Sequence, residues 1–314
     1  VRRARALPRG FPLLALLGAL GSCATLRAPG ALPAPGALLP PAGLSTEWRS
    51  LAQGIDLAEL TDSEAPLRAW GVRIDLDERG LSVVCTPDNG ERPGDTDGER
   101  TTSFAEREGL AVCVNASPFR EDARADGDPM DVSGRYVYAG LPVSETEKRF
   151  PSILVYRDAD GPGAPRWSVG YEDPADVPED TAAAGGAGEP YYALGGFRMI
   201  LRNGENRGID GDREARTAIG TSADGRTLYL LVVDGRSRRW SVGLTSRETA
   251  EWLRLLGAAD GILMDGGGSA TLAVRDADGR TALANRPRDR IGIVREQVVA
   301  NHFGVRSDPL TTDR

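Results

Sequence analysis

The chain has 314 residues, with 38 basic and 46 acidic side chains and one histidine, so its formal net charge is −8. An acidic surface of this kind repels nucleic acid and excludes a polyanion-binding module unless its basic residues are locally focused. The length suits one large domain or two smaller ones.

The first ten positions carry Arg2, Arg3, Arg5 and Arg9, ahead of the apolar run from Phe11 to Leu20. This is the charged and apolar pattern of a secretory signal, and the run is too short to span a bilayer unaided. The segment Leu20-Gly21-Ser22-Cys23 follows and resembles a bacterial lipobox, in which the cysteine is acylated and becomes the N-terminus after cleavage. Residues 1–22 are therefore expected to be removed and Cys23 to carry the lipid, with the mature protein at the bacterial cell envelope, facing the periplasm or the exterior. The initial Val, read as a GTG start, fits a bacterial source. Loss of the four arginines leaves 34 basic against 46 acidic residues, a net charge of −12. Pro29, Pro33, Pro35, Pro40 and Pro41 prevent a regular helix, so residues 23–44 read as a tether and residues 45–314 as one domain.

Strand signals dominate that domain. Short β-branched and apolar runs bounded by Gly, Asp and Pro predict strands at 69–76, 81–86, 110–115, 152–157, 199–202, 218–221, 227–233, 261–264, 269–274 and 300–305. Ser103-Phe-Ala-Glu106 has the form of a capping box and predicts a short helix that stops at Gly109. A second box, Thr245-Ser-Arg-Glu248, opens a helix through Ala250, Trp252, Leu253 and Leu256 to Gly257. Residues 158–190, rich in Gly, Ala, Pro and acidic residues, read as an excursion over the surface. Mixed strands with sparse helices in irregular order predict an α+β fold, a single strand-rich domain with a mixed β-sheet and a few flanking helices. Cys85 and Cys113 sit in apolar runs, and both a disulfide and two buried thiols fit them.

Two strand ends carry the chemistry. Leu228–Val233 is a continuous apolar run ending in Asp234-Gly235-Arg236, and Ile262-Leu-Met264 ends in Asp265-Gly266-Gly267-Gly268-Ser269. A carboxylate at the mouth of a buried strand can be held rigidly while the glycines after it let the main chain approach a ligand. The Gly266–Ser269 amides and the Ser269 hydroxyl could form an anion-binding concavity. Ordinary Asp-Gly turns are the plain alternative, with more weight at Asp234 than at Asp265. Arg216 presents a planar fork suited to phosphate, and Asn115 ends another apolar strand in a polar side chain. His302, the only histidine, lies in an apolar run where a structural role is the commoner one. The acidic stretch 121–128 lacks EF-hand spacing, so no metal is expected.

Taken in order, Asn115-Ala-Ser-Pro-Phe119, Gly195-Gly196, Arg216-Thr217-Ala-Ile-Gly220, Val233-Asp-Gly-Arg236, Ser241-Val-Gly243 and Asp265-Gly-Gly-Gly-Ser-Ala-Thr271 resemble the motifs of the phosphodiester glycosidase family. The resemblance runs over residues 68–306. It implies hydrolysis at a sugar 1-phosphodiester, giving free sugar and a phosphomonoester, without a cofactor. It places Asn115, Arg216, Thr217, Asp234, Gly235, Asp265, Gly267 and Ser269 at the site. Such a reaction passes through an oxocarbenium-like transition state usually served by two carboxylates. Asp265 and Asp234 are accordingly the candidate catalytic residues, either of them acid, base or nucleophile. Arg216, Thr217, Asn115, Gly235, the Gly266–Ser269 segment and His302 are the candidate substrate and phosphate contacts. The expected partners are a sugar-phosphate or glycan substrate and a membrane reached only through the N-terminal lipid, with no nucleic acid. Two rival readings are a non-catalytic carbohydrate-binding envelope lipoprotein on the same scaffold and a different hydrolase, such as a phosphatase or peptidoglycan-processing enzyme.

Overall fold

Alternation along the strand Thr227–Val233 sets the architecture. Leu228, Leu230 and Val232 point into one apolar layer, and Tyr229, Leu231 and Val233 into another, so this strand is buried on both faces. It lies near the middle of an eight-stranded sheet with strands in the order 49–52, 55–62, 67–75, 227–233, 216–221, 260–263, 198–202 and 205–206. Two five-stranded sheets accompany it, one formed by 141–144, 136–138, 192–195, 152–158 and 166–172, the other by 281–283, 272–275, 112–115, 302–306 and 82–85. The computed structural model describes residues 39–40, 46–62, 65–120, 125–144, 149–158, 165–174 and 188–310. The signal segment, nearly all of the tether, part of the acidic stretch 121–128 and most of the 158–190 excursion lie outside the described residues.

The expected α+β class is corrected by these elements. Among the described residues there are two α-helices, α1 (Thr101–Glu108) and α2 (Ser246–Leu256), and every strand pairing is antiparallel, so the fold is mostly β rather than a mixed sheet with flanking helices. The sequence reading fell short of this strand content for a physical reason. In Ile55–Asp62 the inward residues Ile55, Leu57 and Leu60 are diluted by Asp56, Glu59 and Asp62, which dull the apolar run without breaking its burial. Part of the supposed surface excursion is likewise a strand, Arg166–Glu172, paired along its length with 152–158.

Helix α2 covers one face of the large sheet. Its capping box is complete: Thr245 accepts from the Glu248 amide, and the Glu248 carboxylate accepts from the Thr245 amide at 2.9 Å. Trp252, Leu253 and Leu256 are buried against the sheet, each worth roughly 1.5 to 3 kcal/mol of apolar burial. The helix comes this close because glycine lies beneath it; a Cβ on Gly261 would stand 2.5 Å from Leu253 Cδ2. Helix α1 departs from the expected capping box. It begins at Thr101 with no side-chain cap from Arg100, and the carboxylate of Glu296 binds the Thr102 amide at 2.8 Å and its hydroxyl at 2.6 Å instead. The strand expected at 269–274 also starts later, at Leu272, because Gly267–Ser269 form a 3-10 turn. Cys85 and Cys113 are free, buried thiols, each pushed up in pKa by burial.

Candidate active site

The loop that follows strand Asp260–Leu263 is held from both sides. The Met264 amide donates to the Thr217 carbonyl at 2.9 Å, and the Asp265 amide donates to the Ala116 carbonyl at 2.9 Å. The Asn115 side-chain amide reaches the Asp265 carbonyl at 2.8 Å, while its oxygen accepts from the Thr217 hydroxyl at 2.7 Å and from the Thr271 amide at 3.1 Å. Asn115, Thr217 and Asp265 are therefore brought together. Asn115 and Thr217 are fully buried and engaged with each other, so they hold the loop rather than face a ligand.

The glycines differ in use from an open cradle of amides. The Gly267 amide donates to the Ala215 carbonyl at 2.8 Å, and the Ser269 amide closes the turn on Gly266 at 3.2 Å. The Gly266 amide and the Ser269 hydroxyl lie near enough to the Asp265 carboxylate to favour its charged form. Gly267 has φ of 62°, and a Cβ there would collide with the guanidinium of Arg236. The glycine thus makes room for an arginine rather than for bare backbone contact. The side-chain amide of Gln297 lies in the same way over Gly268, 2.6 to 2.7 Å from where a Cβ would be.

Asp265 is the half-buried carboxyl at the centre of this arrangement. Burial raises its pKa to about 6, against the lowering effect of Ser269, the Gly266 amide and the positive charge of Arg236. Arg236 in turn donates from Nε to Glu214 at 2.8 Å and from Nη1 to the Arg288 carbonyl at 3.1 Å. Glu214 is ion-paired to this guanidinium, and the Asp265 carboxyl lies within electrostatic reach of the same charge. Arg236, Glu214 and Gln297 escaped the sequence reading because their meeting depends on three separate loops. The only signal available was the arginine closing the Asp-Gly-Arg segment.

Asp234 stands apart from this group. It is fully buried, and its two oxygens accept from Trp240 Nε1 at 2.6 Å, Asn285 Nδ2 at 3.0 Å and the Arg286 amide at 3.0 and 3.1 Å. Burial raises its pKa against those four bonds. The Gly235 position is tight because the main chain of Ala215 passes against it. Asn285 also donates to the Ala270 carbonyl at 2.9 Å, so the Asp234 node braces the far end of the Asp265 loop.

Arg216 and His302 are turned elsewhere. Arg216 Nε donates to the Leu244 carbonyl and Nη2 to the Asp212 carbonyl, both at 2.8 Å, and burial lowers its pKa. Successive strand residues face opposite sides, so Arg216 points away from the face on which Thr217 meets Asn115. His302 is fully buried, stacked on Phe104 at 4.5 Å between ring centres, with Nδ1 2.9 Å from the Thr86 hydroxyl. Burial pushes its pKa down to about 3, so it is neutral.

The phosphodiester glycosidase family profile matches residues 113–306. No curated protein sequence matches the chain. Three solved structures share the fold at low identity. A putative exported protein from Burkholderia pseudomallei is 15% identical with a TM-score of 0.57, over 89% of this chain and 100% of that one. The catalytic domain of zebrafish N-acetylglucosamine-1-phosphodiester alpha-N-acetylglucosaminidase, auto-inhibited by its pro-peptide, is 18% identical with a TM-score of 0.54, over 84% and 89%. A hypothetical protein from Synechocystis is 15% identical with a TM-score of 0.56, over 84% of this chain, which spans 64% of that protein's length. With the family profile covering well over half of its length, the chain belongs to the phosphodiester glycosidase family.

Proposed function

We propose that the chain hydrolyses a sugar 1-phosphodiester, breaking the bond between the anomeric carbon and oxygen to release free sugar and leave a phosphomonoester. The observation that carries this reading is the half-buried Asp265 carboxyl beside Arg236, with a pKa of about 6 and a hydroxyl donor in Ser269. A phosphomonoester has a second pKa near 6. Proton transfer from Asp265 to the departing oxygen is therefore close to balanced, the condition under which general acid help is efficient. Arg236 stabilises the charge that develops on the phosphate. Glu214, ion-paired to the same guanidinium, supplies the second carboxylate such chemistry uses. Asp234 is assigned a positioning role, because its oxygens already accept four hydrogen bonds.

The setting we propose is the bacterial envelope, with Cys23 as lipid anchor and an envelope or environmental glycan as substrate. A panel of sugar 1-phosphodiesters, assayed in parallel for free reducing sugar and for inorganic phosphate, tests the reaction. Sugar without inorganic phosphate supports the glycosidase. Inorganic phosphate alone points to a phosphatase, and binding without either product to a carbohydrate-binding lipoprotein.

A further inference from the structure

Around Trp240 the acidic balance of the chain is reversed. The segment Arg236-Ser-Arg238-Arg239-Trp240 is closed into a tight turn by the Ser237 amide on the Ser241 carbonyl at 3.0 Å. The indole is held at its edge by Asp234, which takes its N–H at 2.6 Å. Two guanidiniums pack on the ring faces, Arg286 at 4.2 Å and Arg68 at 5.1 Å from the ring centre. Arg239 and Trp240 line a hollow of about 290 Å³ together with Asp62, Leu67 and Arg68. Among the described residues none of Arg68, Arg239 and Arg286 has a carboxylate partner, although acidic residues outnumber basic ones in the chain. Asp62 is the one carboxylate among the described residues that line the hollow.

Like charges gathered on a rigid platform repel one another unless an anion joins them. The indole makes the gathering possible, since its face attracts guanidinium groups while Asp234 prevents it from turning away. The buried Asp234 acts on both parts of the site, because it also receives the Arg286 amide. Trp240 is four residues beyond Arg236, so the two Cα atoms lie within about 14 Å of each other along the chain. An extended substrate could span both positions.

We infer that Arg68, Arg239 and Arg286 around Trp240 form a second anion-binding subsite, which takes a further phosphate of a substrate carrying more than one phosphate group. The inference rests on the phosphodiester glycosidase reading for its choice of phosphate, and it narrows the substrate class to anionic sugar-phosphate chains. Arginine suits the task because its planar fork binds phosphate oxygens in pairs, and the exposed Arg239 and Arg286 can turn onto a ligand without unfolding anything.

The test is calorimetric titration of the full chain with inorganic tripolyphosphate, comparing wild type with the double variant Arg68→Ala/Arg239→Ala. Both side chains are at the surface, and equal thermal midpoints verify folding. The expected result is at least a tenfold loss of affinity in the double variant, with turnover of a substrate bearing a single phosphate unchanged. Equal affinity in the two proteins, or no binding by wild type, overturns the subsite. If neither protein releases sugar from any single-phosphate substrate, the hydrolase reading fails separately, and the titration still decides whether the anion site exists.

Discussion

The buried side chain of Asn115 donates to the main-chain carbonyl of Asp265 at 2.8 Å, across 150 positions of sequence. It also receives the Thr217 hydroxyl and the Thr271 amide, so one amide ties together three strand ends at the candidate site. Leaving a buried donor without a partner costs about 1 to 3 kcal/mol. Asn115→Ala is therefore expected to lower stability by about 2 to 4 kcal/mol in denaturant unfolding, and Thr217→Val by about 1 kcal/mol. An Asn115→Ala protein as stable as wild type would remove the hub from the account.

Arg216 and Arg236 carry different proposed roles, the first structural and the second catalytic. Arg216 spends its guanidinium on the carbonyls of Leu244 and Asp212, and Arg236 pairs with Glu214 within electrostatic reach of Asp265. Arg216→Lys should lower the thermal midpoint through lost hydrogen bonds, about 1 kcal/mol each, with a small effect on turnover. Arg236→Lys keeps a charge but loses the fork, and should reduce kcat/KM by about tenfold or more with little change in stability. Measuring midpoint and kcat/KM on both variants checks the assignment; the opposite pattern would exchange their roles.

Asp265 should also reveal itself in the pH dependence of stability. Its folded pKa of about 6 lies above the value of about 3.9 expected unfolded, so the folded state holds the proton more tightly. The stability this provides is fully present below pH 4 and is lost as pH rises through 6, leaving a cost of up to about 3 kcal/mol at neutrality. Asp265→Asn removes that cost. Its midpoint should exceed that of wild type at pH 7.5, and the difference should vanish at pH 4. Asp234 and Glu296, also raised by burial, contribute equally to both proteins and cancel in the comparison.

Much of the scaffold was legible because it depends on local pattern. The capping box at Thr245 with Gly257 in the left-handed region, and the doubly buried run 228–233, follow from periodicity and cap chemistry alone. The cap of α1 was not legible, since Glu296 arrives from 194 positions away and outcompetes the local box at Ser103. The same holds at the candidate site. The Asp265 loop shows in its glycines, whereas its partners Arg236, Glu214 and Gln297 converge only in three dimensions. Arg216 reads as a phosphate ligand in sequence, where charge is visible and direction is not; in the structure its guanidinium meets the Leu244 and Asp212 carbonyls.

Anchoring is tested apart from catalysis. Cys23 is expected to be the lipidated N-terminus, so wild type expressed in a bacterium should partition into detergent and Cys23→Ala into the aqueous phase. Aqueous partitioning of both proteins would refute the anchor and leave the chemistry untouched.

The central claim is that Asp265 takes part in the reaction, and sugar release by Asp265→Asn tests it most directly. The substitution is nearly isosteric and keeps an oxygen near Ser269 and the Gly266 amide. With thermal unfolding recorded beside turnover on a sugar 1-phosphodiester, a folded, more stable protein should release sugar at least about a hundredfold more slowly. A folded Asp265→Asn protein with wild-type turnover would contradict the account.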